Sequence, residues 1–199
     1  MSSVLLKAEE VEQVEREILQ CIKEGVQCQE KAVAILRFYN FFPEHSNPDV
    51  VTSVLLMGLA SFPMQDFRTY YCMLTEDMFE EDLVIMLHKM ATQLEECRFE
   101  EFWAQRKKRS SLFSQLPNFD LHIRQYISSM VSFTYQRMDS AALAALLDLS
   151  VEDLVTFGQS QGWEVSPSET TFNLNSENQH KARESTPALQ FDQLTRILN

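Results

Sequence analysis

MDSAALAALLDLSVEDLVTFGQSQGWEVSPSETTFNL, residues 138–174, is the stretch that decides the fold. Asp139 or Ser140 is placed to cap a short helix over 141–147, and Asp148 with Leu149 turns the chain. Ser150 then stands as an N-cap, with Asp153 three residues on as the acidic partner of a capping box. Leu149 and Leu154 occupy the two positions of a hydrophobic staple around that cap. The second helix runs to Gln161, and Gly162 supplies the residue that ends it. Two short helices joined by so tight a turn are a helix-turn-helix. Trp163–Val165 and Thr171–Leu174 follow as brief strands around a turn over 166–170. A helix-turn-helix that carries a small hairpin is a winged helix.

Towards the N-terminus the pattern is helical throughout. Val11, Val14, Ile18 and Ile22 recur at helical spacing between Glu-rich positions, and Gly25 ends that helix. Ala32–Phe42 is so apolar and aromatic that it predicts a helix buried on more than one side, with Phe38, Tyr39, Phe41 and Phe42 packed in the core. A turn over 43–48 leads to a stripe of Val51, Val54, Leu55, Gly58, Leu59 and Phe62. Pro63 breaks the stripe before Phe67, Tyr70, Tyr71 and Leu74. Glu80, Glu81 and Asp82 suit a helix N-terminus, and Leu83, Met86, Leu87, Met90, Leu94 and Cys97 run down one face after it. Phe99, Phe102 and Trp103 anchor a further helix; Pro117 restarts the chain before Ile123, Ile127, Met130, Val131 and Tyr135. Successive helices with short Pro-marked connections predict a helical-repeat stack, and no Gly/Ser-rich linker separates it from the winged helix, so one shared core is expected. Only 4 Gly in 199 residues, with 45% hydrophobic and 23% charged residues, agree with a mostly helical globular chain.

The net charge is −12, which disfavours coating nucleic acid or an anionic membrane with the whole surface. It also hides a reversal. Residues 106–138 hold six bases and one acid, whereas 1–105 hold 8 bases and 19 acids. Arg106, Lys107, Lys108 and Arg109 supply most of the excess. They read either as a solvated helix end, where cations suit the dipole, or as a contact for phosphate or an acidic partner. A winged helix that reads DNA needs a basic recognition helix, but the second helix here holds Glu152 and Asp153 and no Lys or Arg. Protein recognition is the better reading of this motif.

No catalytic, cofactor or metal site is expected. The four cysteines show no CxxC spacing and read as buried thiols of a reducing compartment. His45, His88, His122 and His180 stand alone. The acidic run 76–82 lacks the ligand spacing of a calcium loop and reads as a solvated turn with a helix start. The opening MSSVLLKAEEVEQ carries acids where a targeting peptide would carry bases, and no apolar run reaches membrane-spanning length. An intracellular protein without a small-molecule substrate is expected.

Helical repeats feeding a C-terminal winged helix resemble the PCI-domain proteins, scaffold subunits of large complexes. AILRFYNFFP (34–43), LLMGLASFPMQDFRTYYCML (55–74), LEECRFEEFW (94–103), YQRMD (135–139), the run 143–154 and GW (162–163) are similar to the PCI family that holds subunit k of eukaryotic translation initiation factor 3. Signalosome subunit 8 and a small proteasome-lid subunit belong to the same group. The resemblance implies a non-catalytic, cytoplasmic subunit that pairs with the neighbouring l subunit through winged helices. It further implies that the whole factor binds the small ribosomal subunit and organises pre-initiation complex assembly. The expected units are a helical-repeat domain over 1–135, a winged helix over 136–174, and a loop with a last short helix over 175–199. The loop, 175–188, is polar and aperiodic.

Two features are expected to meet the partner. A two-stranded hairpin leaves strand edges unpaired, which assigns Val165, Thr171, Phe172 and Leu174 to strand addition. The final segment concentrates Leu189, Phe191, Leu194, Ile197 and Leu198, and so short a helix needs another apolar surface. It either covers its own winged helix or, as the resemblance implies, joins a helical bundle built from several subunits.

Overall fold

The computed structural model describes residues 8–179, and within them the chain forms ten α-helices and one small sheet. Helices α1 (Ala8–Glu24) and α2 (Gln29–Phe41) form a first pair, joined by a turn at Gly25. Val11, Ile18 and Ile22 are the buried stripe of α1. Tyr39 of α2 is wholly buried and its hydroxyl donates to the Glu15 carboxylate; burial, then that neighbouring charge, holds the phenol well above its ordinary pKa.

Helix α3 (Pro48–Ala60) is the centre of the stack. Its residues from Val50 to Leu59 are all buried, because α1, α4 (Asp66–Tyr71), α5 (Asp82–Glu95) and α8 (Phe119–Thr134) pack around it. A helix apolar on every side is stable only in such a position. Its start is set by Asn47, whose side chain accepts from the Asp49 N–H, followed by Pro48. Gly58 lets α4 approach: a Cβ there would lie 2.9 Å from Phe67 Cα and 2.9 Å from Tyr70 Cδ2.

Helices α6 (Phe99–Lys108) and α7 (Ser110–Phe113) lead to α8, whose buried face is Phe119, Ile123, Tyr126, Ile127 and Val131. Strand β1 (Arg137–Asp139), helices α9 (Ser140–Leu147) and α10 (Val151–Ser160), and strands β2 (Glu164–Val165) and β3 (Glu169–Thr171) complete the described fold. The core is one continuous cluster from Val11 to Phe172, so the stack and the winged helix share it as expected.

Three expectations about the core are corrected. Phe41 is 65% exposed and Phe42 43%. At about 100° per residue Phe41 lies roughly 200° round the helix from Tyr39, on the opposite face; Phe42 caps α2 and rests its ring 4.9 Å from Phe38. Met130 and Tyr135 are also exposed, since the buried line of α8 is Ile123, Ile127 and Val131, and Tyr135 has left the helix in an extended conformation. The thiols are not uniformly buried either. Cys72 and Cys97 are exposed at helix ends, Cys97 in the left-handed conformation (φ 58°), while Cys21 and Cys28 are half-buried. Cys28 donates to Met57 Sδ at 3.7 Å, and burial with the neighbouring Cys21 pushes its pKa up to about 12, so it remains a thiol.

Gly58→Ala is expected to destabilise the chain by about 1–3 kcal/mol, because the new methyl meets α4 backbone rather than a flexible side chain. Urea denaturation followed by circular dichroism measures the loss.

Candidate functional site

The winged helix is built by local capping and then locked by the stack. Asp139 accepts from the Ala142 N–H at 2.9 Å and starts α9. Asp148 adopts the left-handed conformation (φ 51°, ψ 51°) and ends it. Ser150 accepts from the Asp153 N–H at 3.1 Å, and its hydroxyl donates to the Asp153 carboxylate at 2.7 Å, so α10 begins where the capping pair predicts. Gly158 lets β2 cross α10 closely, since a Cβ there would come within 2.4 Å of Val165 Cγ2. Trp163 fills the space between, its ring 4.9 Å from Phe172 and 6.0 Å from Phe157.

The sheet differs from the expected hairpin. It has three antiparallel strands in the order β1-β3-β2, with Arg137 and Glu164 both opposite Thr171. The chain enters the second strand earlier than expected, at Glu169, because Ser166 closes a tighter turn: its hydroxyl donates to Glu169 O at 2.6 Å and accepts from Glu169 N–H at 3.0 Å. Beneath it Ser140 and Thr170, both fully buried, satisfy each other at 2.9 Å, and the Ser140 hydroxyl also reaches Ser166 O at 2.7 Å. Strand β1 escapes sequence detection because Arg-Met-Asp is too short and polar to alternate visibly.

These facts sort the expected partner residues. Thr171 lies in the central strand with a strand on each side, so it offers no free edge. Phe172 is buried against Trp163, and its N–H donates to Gln136 O at 2.9 Å. Val165 lies in β2, an outer strand, and Leu174 is 66% exposed just past the sheet. Leu189, Phe191, Leu194, Ile197 and Leu198 fall outside the described residues. Further apolar groups are exposed: Met130, Phe133 and Tyr135 at the end of α8, and Val151 and Val155 on α10. Phe133 was detectable as a residue two positions off the Ile123–Ile127–Val131 stripe, hence on the far side of the helix.

The polar stretch after Leu174 begins as an anchored turn rather than a free loop. Asn178, buried, shares its two Nδ2 hydrogens among Ser132 O at 3.0 Å, Tyr135 O at 3.2 Å and Asn173 O at 3.0 Å, while Asn175 donates to Ser132 O at 2.8 Å. Both side chains satisfy carbonyls left open at the end of α8.

The basic cluster divides in two. Arg106 pairs with Asp120 at 2.8 Å, both half-buried, and lies over the Phe113 ring at 6.0 Å. Lys107 pairs with Asp148, the residue that ends α9. Lys108 and Arg109 are exposed and have no ion-pair partner among the described residues. Close by, Trp103 Nε1 donates to Leu146 O at 2.9 Å, and Arg124 donates to Leu147 O at 2.9 Å and Asp148 O at 3.2 Å. The Arg124 guanidinium also lies 5.3 Å from the centre of the Trp103 ring. Lys107, with Trp103 and Arg124, therefore fixes the helix-turn-helix to the stack, while Arg106 ties α6 to α8.

The arrangement is a winged helix held on a stack, with exposed side chains around it. Among the described residues no group of His, Cys, Asp and Glu is placed to hold a metal ion, and no helix is long and apolar enough to cross a membrane. What it presents is a recognition helix with apolar and acidic side chains beside open sheet edges.

Comparison with known proteins gives the family. The model of the CSN8/PSMD8/EIF3K family matches residues 45–184. A Dictyostelium discoideum protein named eukaryotic translation initiation factor 3 subunit K is 35% identical over 167 residues, covering 82% of this chain. The chain spans 66% of that relative's length, just under two thirds. Proteins of the same name from Bombyx mori and Homo sapiens are 29% and 28% identical, over 83% and 93% of this chain and 76% and 85% of their own lengths.

Trp103→Phe and Arg124→Met each strand carbonyls at the end of α9 and are expected to destabilise by about 1–3 kcal/mol. Because both act on neighbouring carbonyls, the double variant is expected to depart from additivity. Lys108→Glu and Arg109→Glu are expected to shift stability by less than ~0.5 kcal/mol. Guanidinium unfolding of the five proteins checks all three statements.

Proposed function

Because the chain belongs to the CSN8/PSMD8/EIF3K family, we propose that it is a non-catalytic subunit of eukaryotic translation initiation factor 3. The observation that carries the reading is the shared name of relatives that align along most of the chain. As such a subunit it works in the cytoplasm, is held by neighbouring subunits, and reaches the small ribosomal subunit through the assembled factor.

The l subunit is the neighbour proposed for the winged helix. Support comes from the outer edge of β2 at Val165 and from exposed Leu174, where another chain's strand can add to a sheet and bury an apolar side chain. The recognition helix adds Val151 and Val155 as apolar contacts and Glu152 as a charge that repels nucleic acid. Thr171 and Phe172 act indirectly, by holding the sheet in place. The segment with Leu189, Phe191, Leu194, Ile197 and Leu198 supplies further apolar contact to other subunits. Lys108 and Arg109 are the two cations of the basic cluster left for an acidic partner or ribosomal RNA.

Leu174→Asp is expected to leave the melting temperature of the free chain unchanged and to weaken co-purification with the l subunit, because the side chain is exposed. Phe172→Asp is expected to unfold the winged helix instead, since it buries a charge against Trp163. Affinity purification of the tagged chain with identification of its partners decides the assembly. Signalosome or proteasome-lid subunits in place of initiation-factor subunits would overturn the reading.

A further inference from the structure

We propose that the stack carries a second docking site, at the N-terminal ends of α3 and α5, for a basic segment of another protein that inserts a lysine or arginine beside an apolar side chain. The site is independent of the winged helix. It is a hollow of about 310 Å³ between Pro48 of α3, the one-turn helix Glu76–Glu80 and Val84 of α5. That volume is at the small end of ligand cavities, suited to one or two side chains rather than a cofactor. Its floor is apolar and otherwise buried, formed by Val51, Met78 and Val84.

Its rim is acidic without compensation. Asp49, Asp77 and Glu81 line it, and none is in an ion pair among the described residues. Some carboxylates of the stack do meet bases, Glu17 with Lys31, Glu95 with Arg68, Glu101 with Arg98 and Asp120 with Arg106. Here none is within reach in sequence, since Arg68, already paired with Glu95, is the only Lys or Arg from Phe38 to His88. Two helix N-termini offset part of the charge, at about +0.5 each, which leaves roughly −2 for three carboxylates. An anion is therefore excluded as occupant, and a second copy of a chain with net charge −12 is disfavoured. The carboxylates are not grouped to hold a metal ion, so the cation that fits is one carried on a side chain.

A second observation also points to a ligand. Thr52 lines the hollow at 8% exposure, and its side chain has no hydrogen-bond partner among the described residues. The residue is nine-tenths buried but its hydroxyl is not sealed off, so a guanidinium or ammonium seated in the hollow can donate to it.

The test uses the full chain and a short peptide that alternates leucine with arginine, with a second peptide carrying glutamate at every arginine. Methyl NMR shifts on titration are expected at Val51, Thr52, Met78 and Val84, with binding that weakens as salt is raised. Asp77→Lys combined with Glu81→Lys is expected to weaken binding by about tenfold or more without lowering the melting temperature. Thr52→Val is expected to weaken binding several-fold while leaving the free protein at least as stable, which a purely structural threonine would not do. Shifts centred elsewhere, equal binding of the glutamate peptide, no binding at millimolar peptide, or unchanged affinity in the charge-reversed variant would each overturn the proposal.

Discussion

The end of α9 depends on groups that lie outside it. A helix leaves its last carbonyls without partners, and those of Leu146, Leu147 and Asp148 face the stack rather than water. Trp103 from α6 and Arg124 from α8 supply the donors, and Lys107 pairs with the Asp148 side chain at the same turn. Three side chains from the stack thus grip one turn of the helix-turn-helix. The orientation of the winged helix is a property of the whole fold, and the continuous core from Val11 to Phe172 is its apolar counterpart.

From that grip the exposed surface follows. With α9 held inward, α10 turns Val151 and Val155 outward, and the sheet presents the outer edges of β1 and β2. Asn175 and Asn178 close the far end of α8 by satisfying its carbonyls, which brings the chain back across the stack immediately after Leu174. The two surfaces assigned to partners differ in chemistry. The winged helix offers backbone hydrogen bonds and scattered apolar groups, a surface suited to strand addition. The hollow at α3 and α5 offers carboxylates over an apolar floor, a surface suited to a cation.

The basic cluster shows how one sequence feature divides its work. Arg106–Arg109 lie consecutively at the end of α6, where the helix dipole favours cations. Helical geometry sends them in different directions, so Arg106 meets Asp120 across a half-buried gap, Lys107 reaches Asp148, and Lys108 and Arg109 stay in water. The acids that Arg106 and Lys107 meet belong to this chain, while Lys108 and Arg109 form a solvated helix end.

Local chemistry was legible in the sequence wherever a residue answers to its near neighbours. The caps at Asp139 and Ser150, the stops at Gly25 and Gly162, and the apolar stripe of α3 follow from spacing and composition, because capping and helical periodicity act over a few residues. The family is legible too, since apolar blocks in a fixed order reflect one shared core. What only the tertiary structure decided are the pairings over long separations. Strand β1 joins β3 across a long separation in sequence, which moves Thr171 from an edge to the centre and buries Phe172. Tyr39 goes inward while Phe41 faces water, although both sit in one aromatic run. The choice lies with whatever packs against the helix, and a pattern along the chain records how often a face recurs, not what covers it.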